Sequence, residues 1–368
     1  MIVNGKHYTT IWIDENDRSI IKTIDQRLLP FEFKIVDLKT SNDTFNAIKN
    51  MVIRGAPLIG VTAAYGIYLA LLRFNGKENI DNYINGVADK LKSSRPTAIN
   101  LNYAVERIIE KIKNEPVINK KVDFALQAAN ELKNEELENS INIGKNGLKF
   151  FEELRKKKRG EAVNILTHCN AGWLACIDYG TATAPIYLAH DKGIKVHVWI
   201  DETRPRNQGA RLTAWELTQH GVPCTLIPDN TGGHLMQNRL VDLVIVGSDR
   251  TTTNGDVVNK IGTYLKALAA QDNNIPFYVA LPSTSIDWNI SNGIKEIPIE
   301  ERDEKEVKYI EGLGEDGIDE FLITDNKVKV KNYGFDITPS RLVTGLITER
   351  GICEANNEGI KKLFPEYF

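Results

Sequence analysis

The sequence predicts an α/β protein: an open parallel sheet in the C-terminal part, preceded by a mostly helical N-terminal part that opens on a small β unit. Three observations carry this reading. From Glu161 onward, short runs rich in β-branched and other apolar residues (AVNILTH, KVHVWIDE, CTLIPD, VDLVIVGSD, PFYVALP) alternate with helical segments. Several of those segments close on DKG, QHG or DNN, which are C-terminal helix stops. Between about Ser41 and Arg155 the apolar spacing is helical, with few strand signals. Alternation of strand and helix builds right-handed βαβ units and a parallel sheet. Nearly all-apolar strands are expected to be buried on both faces. The expected division is 1–155 and 156–368.

In chain order, YTTIWIDEN and SIIKTID read as strands around the turn-prone ENDR. TFNAIKNMVI, NLNYAVERIIEKIKN and VDFALQAANELKNEEL carry apolar residues at helical spacing. After Glu161, each strand is followed by a helix within CIDYGTATAPIYLAHDKG, ARLTAWELTQHG, GGHLMQNRL and GTYLKALAAQDNN. The acidic stretch IPIEERDEKEV is expected at the surface or at an edge of the second domain.

Composition excludes several classes. The 368 residues are 42% apolar and 26% charged, with a formal net charge of -3, so neither a polyanion partner nor disorder is indicated. The basic run RKKKRG has no interleaved aromatics to stack bases, and nucleic acid is not expected as a partner. No apolar run is long enough to span a bilayer, and no signal-peptide core opens the chain. Four scattered cysteines form no CxxC pair, which favours a reducing compartment, the cytoplasm.

In open parallel sheets, ligands bind beyond the carboxyl ends of the strands. That rule nominates Cys169, Asp201, Glu202, Asp229, Asp249 and Ser283, although helix capping explains any one of them about as well. RGAPLIG puts Arg54, a bidentate phosphate donor, before a run of small residues; tight helix packing explains that run equally well. In GSDRTTTNGDVVNKIGTY, Asp249 ends a strand and the Asn259-Lys260 pair is expected to open a helix, where anions are attracted. Gln208 lies in the loop of DETRPRNQGARLTAWEL, at the ligand end. His168 adjoins Cys169 but should point to the opposite face, and no HxxxH occurs, so no metal site is expected. GxxxxGK[ST] and GxSxG are missing, and no GxGxxG follows the first strand of the parallel sheet, which argues against a dinucleotide cofactor.

The motifs RGAPLIG, SSRPTAINL, THCNAG, DETRPRNQGARLTAWEL, DRTTTNGDVVNKIGTY and STSIDW, in this order, resemble those of the methylthioribose-1-phosphate isomerase family. Its wider superfamily includes ribose-1,5-bisphosphate isomerases and regulatory subunits of the eukaryotic initiation-factor exchange complex. The resemblance runs from about Thr10 to Glu349. It implies a Rossmann-like domain behind a mostly helical one, a homodimer, and a sugar-phosphate substrate. It makes Cys169 and Asp249 the catalytic pair. Arg54, Gly55 and Ala56 match the loop that holds substrate, and Arg95, Gln208, Asn259 and Lys260 match the other contacts. Trp173 stands where a smaller residue is usual, and GSDRT where GADRI is usual; both departures are expected near the site. In the implied chemistry, Asp249 protonates the departing ring oxygen of an aldose locked as its C1 phosphate ester. Cys169 accepts a proton from C2, or stabilises charge if a hydride moves instead. No metal or organic cofactor is required. Two other readings stand beside it: a 5-deoxyribose 1-phosphate isomerase using the same residues, and a non-catalytic regulatory subunit. A cysteine hydrolase would need a histidine partner that the sequence does not nominate. The N–H groups of NAG, at the start of a helix, would favour a Cys169 thiolate, and burial would oppose it.

Overall fold

A computed structural model describes residues 1–95 and 98–368; Pro96 and Thr97 of the SSRPTAINL motif lie outside the described residues. The N-terminal half opens with a hairpin, β1 (Ile2–Val3) and β2 (Lys6–His7), and an antiparallel sheet of β3 (Ile11–Ile13), β4 (Ile21–Ile24) and β5 (Ile35–Leu38). Five helices follow: α1 (Ser41–Lys49), α2 (Ala56–Leu72), α3 (Ile80–Ser93), α4 (Ile99–Ile112) and α5 (Ile118–Lys157). α1 starts at a capping box in which Thr40 and Asp43 satisfy each other's backbone N–H. α2 is buried along all but its last residue. A helix that is apolar all round belongs inside, and α2 is the post around which α1, α3, α4 and α5 pack. Among the described residues no helix is long and apolar enough to cross a membrane.

The C-terminal half contains β6 (Val163–Thr167), α6 (Ala184–Asp191), β7 (Val196–Asp201), α7 (Ala214–His220), β8 (Cys224–Ile227), α8 (Thr231–Gln237) and β9 (Leu243–Val246). Then come β10 (Arg250–Thr252), β11 (Val257–Lys260), α9 (Thr263–Asp272), β12 (Phe277–Ala280), β13 (Ile286–Asp287), α10 (Gly293–Glu296) and α11 (Lys305–Lys308). The chain closes with β14 (Tyr309–Leu313), β15 (Ile318–Leu322), β16 (Phe335–Thr338), β17 (Gly345–Thr348), β18 (Gly351–Cys353) and α12 (Asn357–Leu363). The main sheet has seven strands in the order β18-β17-β12-β9-β6-β7-β8. All neighbours are parallel except β17 and β18. The winding reverses between β6 and β9, so the ligand crevice of such a sheet falls at their carboxyl ends.

Helix α5 has 40 residues. Its first half gives Ala125, Ala129 and Leu132 to the helical core. Its second half gives Ile143 and Phe151 to the core beneath the sheet. A Cβ on Gly144 or Gly147 would lie 2.8 Å from Leu188 or Pro185 of α6, so these glycines let the two helices close. A polar seam also joins the halves. Buried Glu136 of α5 accepts a hydrogen bond from Thr284 (2.8 Å), which in turn accepts one from Asn100 of α4 (3.1 Å).

Four expectations change. Asn259 and Lys260 do not open a helix: they lie on β11, in a second sheet ordered β13-β10-β11-β16. That pairing needs β16, 75 residues away for Lys260 and Phe335 by their numbers, and no local signal reveals it. β8 is an edge strand with Thr225 and Leu226 exposed, not buried on both faces. THCNAG is followed by one 3-10 turn, Trp173–Ala175, and no α-helix starts before Ala184. The buried Glu216 carboxylate holds this turn, accepting the Trp173 and Leu174 N–H groups (3.2 Å each). The helix-dipole argument for a Cys169 thiolate therefore falls. Finally, the acidic stretch is not only surface: Ile297 and Pro298 wall the cleft described next.

Candidate active site

The crevice between β6 and β9 meets the N-terminal end of α2. Gly55 precedes α2 with φ +96°, and a Cβ there would lie 2.4 Å from Ala175 Cα. Only glycine allows this approach, and it presses the RGAP turn onto the turn that follows Cys169. Arg54 is thereby buried, and its Nη1 donates to the backbone oxygen and to Oδ1 of Asn170 (2.7 Å each). Its Nη2 stands 3.9 Å from Cys169 Sγ.

Cys169 is 5% exposed and has φ +66°, a left-handed conformation that costs a non-glycine residue of order 1–3 kcal/mol. Its neighbours hold it there. Its N–H donates to Thr203 Oγ1 (2.9 Å), and its carbonyl accepts from Thr213 Oγ1 (2.6 Å). The thiol is turned onto Gln208 Oε1, to which it donates at 3.3 Å. Asp249 stands at the end of β9, its N–H bonded to Val258 of β11 (3.0 Å). Lys260 is buried, with Nζ 4.8 Å from the centre of the Phe335 ring. Arg95 Nη1 meets Met51 Sδ at 3.3 Å, and Nη2 lies 3.6 Å from a Glu300 carboxylate oxygen.

Arg54, Gly55, Ala56, Arg95, Cys169, Gln208, Asp249 and Lys260 line one cleft of about 680 Å³, open to solvent, with Met51, Ile59, Val258, Ile297 and Phe335 as its apolar wall. Asn259 faces an adjoining inner chamber with Ser248 and Ser285, as expected for alternate residues of a strand; it bonds Thr263 Oγ1 (3.0 Å). The structure thus brings all nine residues together. Asp201, Asp229 and Ser283, nominated by the same strand-end rule, do not reach the cleft: Asp229 accepts the Thr203 and Arg204 N–H groups (2.7 Å each), and Ser283 is tied to Glu349. The two departures from the family pattern fall differently. Trp173 is wholly buried against Trp215 and forms no part of the cleft wall. Ser248 sits in the inner chamber, bonded to Thr251 (2.8 Å).

Burial decides the charges. Desolvation pushes the Asp249 carboxyl above the usual carboxylate range, against the pull of Lys260, Arg54 and Arg95. Desolvation likewise pushes the Cys169 thiol up, against Arg54 and Lys260. It pushes Lys260 down, against Cys169 and Asp249. The site therefore favours a neutral thiol and draws the carboxyl toward its acid form, with a cluster of cations around them.

Sequence reasoning missed the groups that hold these residues: Asn170, Thr203, Thr213 and Glu216. Three of the four lie inside DETRPRNQGARLTAWEL, where a buried threonine or glutamate next to a ligand loop is the signal. It nominated Asp201 and Asp229 but missed that they converge on His168. His168 Nδ1 is 2.9 Å from Asp201 and 4.0 Å from Asp229, a group with the geometry of a metal site. The Lys266 ammonium fills it, 3.1 Å from Asp201 and bonded to the Asp229 carbonyl.

The initiation factor 2 subunit family matches residues 52–355. A methylthioribose-1-phosphate isomerase of Desulfatibacillum aliphaticivorans is 55% identical over 366 residues, covering 100% of this chain and 99% of that one. One of Rhizobium meliloti is 56% identical over 368 residues, covering both chains fully. The crystal structure of 5-methylthioribose 1-phosphate isomerase from Pyrococcus horikoshii superposes with TM-score 0.82 at 36% identity, over 98% of this chain and 97% of that one. A structure described as translation initiation factor eIF-2B, subunit delta, from A. fulgidus gives TM-score 0.79 at 36% identity, over 98% and 100%. The α/β fold with its mostly parallel C-terminal sheet is the one these relatives share, and this chain belongs to the initiation factor 2 subunit family and, within it, to the methylthioribose-1-phosphate isomerases.

Proposed function

We propose that the chain converts S-methyl-5-thio-α-D-ribose 1-phosphate to S-methyl-5-thio-D-ribulose 1-phosphate in methionine salvage, with Cys169 and Asp249 as its catalytic pair. The observation that carries the pairing is electrostatic: one cleft holds a thiol and a carboxyl that burial draws toward their neutral forms, beside three cationic side chains. The cations Arg54, Arg95 and Lys260 suit a phosphate. Holding it turns remote binding energy into orientation at the reacting carbons. Gly55 and Ala56 offer backbone at the N-terminal end of α2, while Gln208 and Asn259 are placed for sugar hydroxyls.

The substrate has no free aldehyde, because C1 carries the phosphate ester. Asp249 gives its proton to the ring oxygen as the bond from C1 to that oxygen breaks. The hydrogen on C2 then moves to C1 with its bonding pair. The C2 hydroxyl returns a proton to the Asp249 carboxylate, leaving a ketone at C2 and the phosphate untouched. A neutral thiol that donates to Gln208 is a poor base for a carbon acid. Cys169 therefore acts beside C2 as a polar wall that stabilises the positive charge passing from C1 to C2. The scheme needs no metal and no organic cofactor. The regulatory-subunit reading is disfavoured because the acid, the thiol and the cations all face one cleft.

The units 1–155 and 156–368 then work as two walls of that cleft. The family resemblance supports a homodimer, and four free cysteines suit the cytoplasm. The test is turnover by purified protein of the methylthio and the 5-deoxy sugar phosphates. A kcat/KM higher for the methylthio substrate is expected; no turnover of either sinks the proposal.

A further inference from the structure

The segment Ile297–Glu306 crosses the mouth of the cleft, and its charges form a ladder. Arg95, on the helical side, faces Glu300 (3.6 Å); Glu300 pairs with Arg302 (2.8 Å), Arg302 with Glu306 (2.7 Å), and Glu306 with Arg206 (2.9 Å), two residues before Gln208. Three rungs are within hydrogen-bond distance. The rung at Arg95 is not.

That exception is specific in its atoms. Arg95 is buried enough for desolvation to press its guanidinium toward the neutral form, yet its Nε has no hydrogen-bond partner among the described residues, and neither does Glu300 Oε2. Among the described residues its Nη1 meets only a thioether, Met51 Sδ, a weak acceptor. A buried guanidinium ordinarily satisfies its donors with oxygen. Nor can the backbone close the gap. The Glu300 carbonyl accepts the Gly334 N–H (2.9 Å), and the Arg302 N–H donates to Asn332 (2.7 Å). The strap is pinned, and only the Glu300 side chain is free to choose between Arg302 and Arg95.

We propose that Glu300 is the resident counter-anion of the phosphate subsite, a positioning residue that balances Arg95 until the phosphate arrives and then yields it, withdrawing onto Arg302. This rests on the phosphate-binding role of Arg95 proposed above. A phosphate offers oxygens that a guanidinium can take in bidentate fashion, which Glu300 at its present distance does not. Glu300 therefore competes with the substrate for Arg95, and its charge repels the incoming anion. It also sets a threshold: a neutral ligand of the same shape gains nothing by displacing it.

The test is the competitive inhibition constant of inorganic phosphate, with KM and kcat measured alongside. In Glu300→Gln, phosphate should bind at least about threefold more tightly, and KM should fall while kcat does not rise, because one like charge has been removed from a cleft of low dielectric. A merely structural strap predicts the reverse, weaker phosphate binding and a raised KM, and that result overturns the proposal, as does an unchanged constant. Glu306→Gln is the control for loosening: it breaks the rungs to Arg302 and Arg206 without touching Arg95, and phosphate should bind no more tightly than to the parent. Tightening in both variants would overturn the proposal. Arg95→Ala separates the two levels. If it does not weaken phosphate binding, the phosphate-site reading itself fails; if it does while Glu300→Gln shows no gain, only the counter-anion role fails.

Discussion

Glu136→Gln should change how stability depends on pH. Glu136 sits in the seam between α5 and the Ser283–Ser285 turn, 3% exposed, with Thr284 as hydrogen-bond donor. Desolvation raises its carboxyl from the ordinary 4.5 to about 7, Thr284 opposes this, and the nearby Glu349 and Glu135 add to the rise. Between those two values the native state binds more protons than the unfolded chain, so stability falls as pH rises. The contribution is fully present below about 4.5 and lost as pH passes about 7. At roughly 1.4 kcal/mol per pH unit, that interval is worth about 3 kcal/mol. Glutamine mimics the protonated acid at every pH, and its own cost of burial does not titrate. Urea denaturation of both proteins at about pH 5 and about pH 8 should therefore show the variant gaining on the parent by about 2–3 kcal/mol between the two conditions. A difference that is the same at both pH values, within about 0.5 kcal/mol, would show that Glu136 is ionised in the fold at both, and the argument from burial would be wrong.

Asp249→Asn should fold and lose at least about 100-fold in kcat, the lower end for a positioned acid; near-parent turnover refutes its role. In the parent, kcat/KM should fall as pH rises through the raised Asp249 value, because the acid form does the work; a flat alkaline limb would count against this. With deuterium at C2 of the substrate, the hydride route requires the label to be recovered at C1 of the product, and washing out into water would point to a base instead. EDTA should leave activity unchanged, since the Lys266 ammonium occupies the one carboxylate–histidine group with metal-site geometry among the described residues; loss restored by a single metal would overturn that.

Much of the fold is legible because its signals are local. β6, β7, β9 and β12 are short apolar runs, with a helix before the next strand after β6 and β7, and burial on both faces writes itself into consecutive residues. β17 is four residues inside SRLVTGLITER, too short to announce itself. The second sheet is invisible for another reason: Asn259 pairs with Asp336, and only long-range contact turns VVNK from a helix opening into a strand. The cleft residues follow the same division. Cys169 and Asp249 mark the ends of β6 and β9, so the strand-end rule finds them. Thr203 and Thr213 hold the Cys169 backbone from other loops, and Glu300 hides in an acidic run that reads as solvated surface. What a residue touches across the chain is not written next to it.

The 40-residue helix α5 has a mechanical consequence. At 1.5 Å per residue it is a rod of about 60 Å, and its two ends are glued into different cores. Two bodies fixed to one unbroken rod cannot swing about a hinge between them unless the rod bends. Wide opening of the cleft is costly for this molecule. Movement at the cleft is left to side chains and short loops at the rim, as with jaws cut into a single frame.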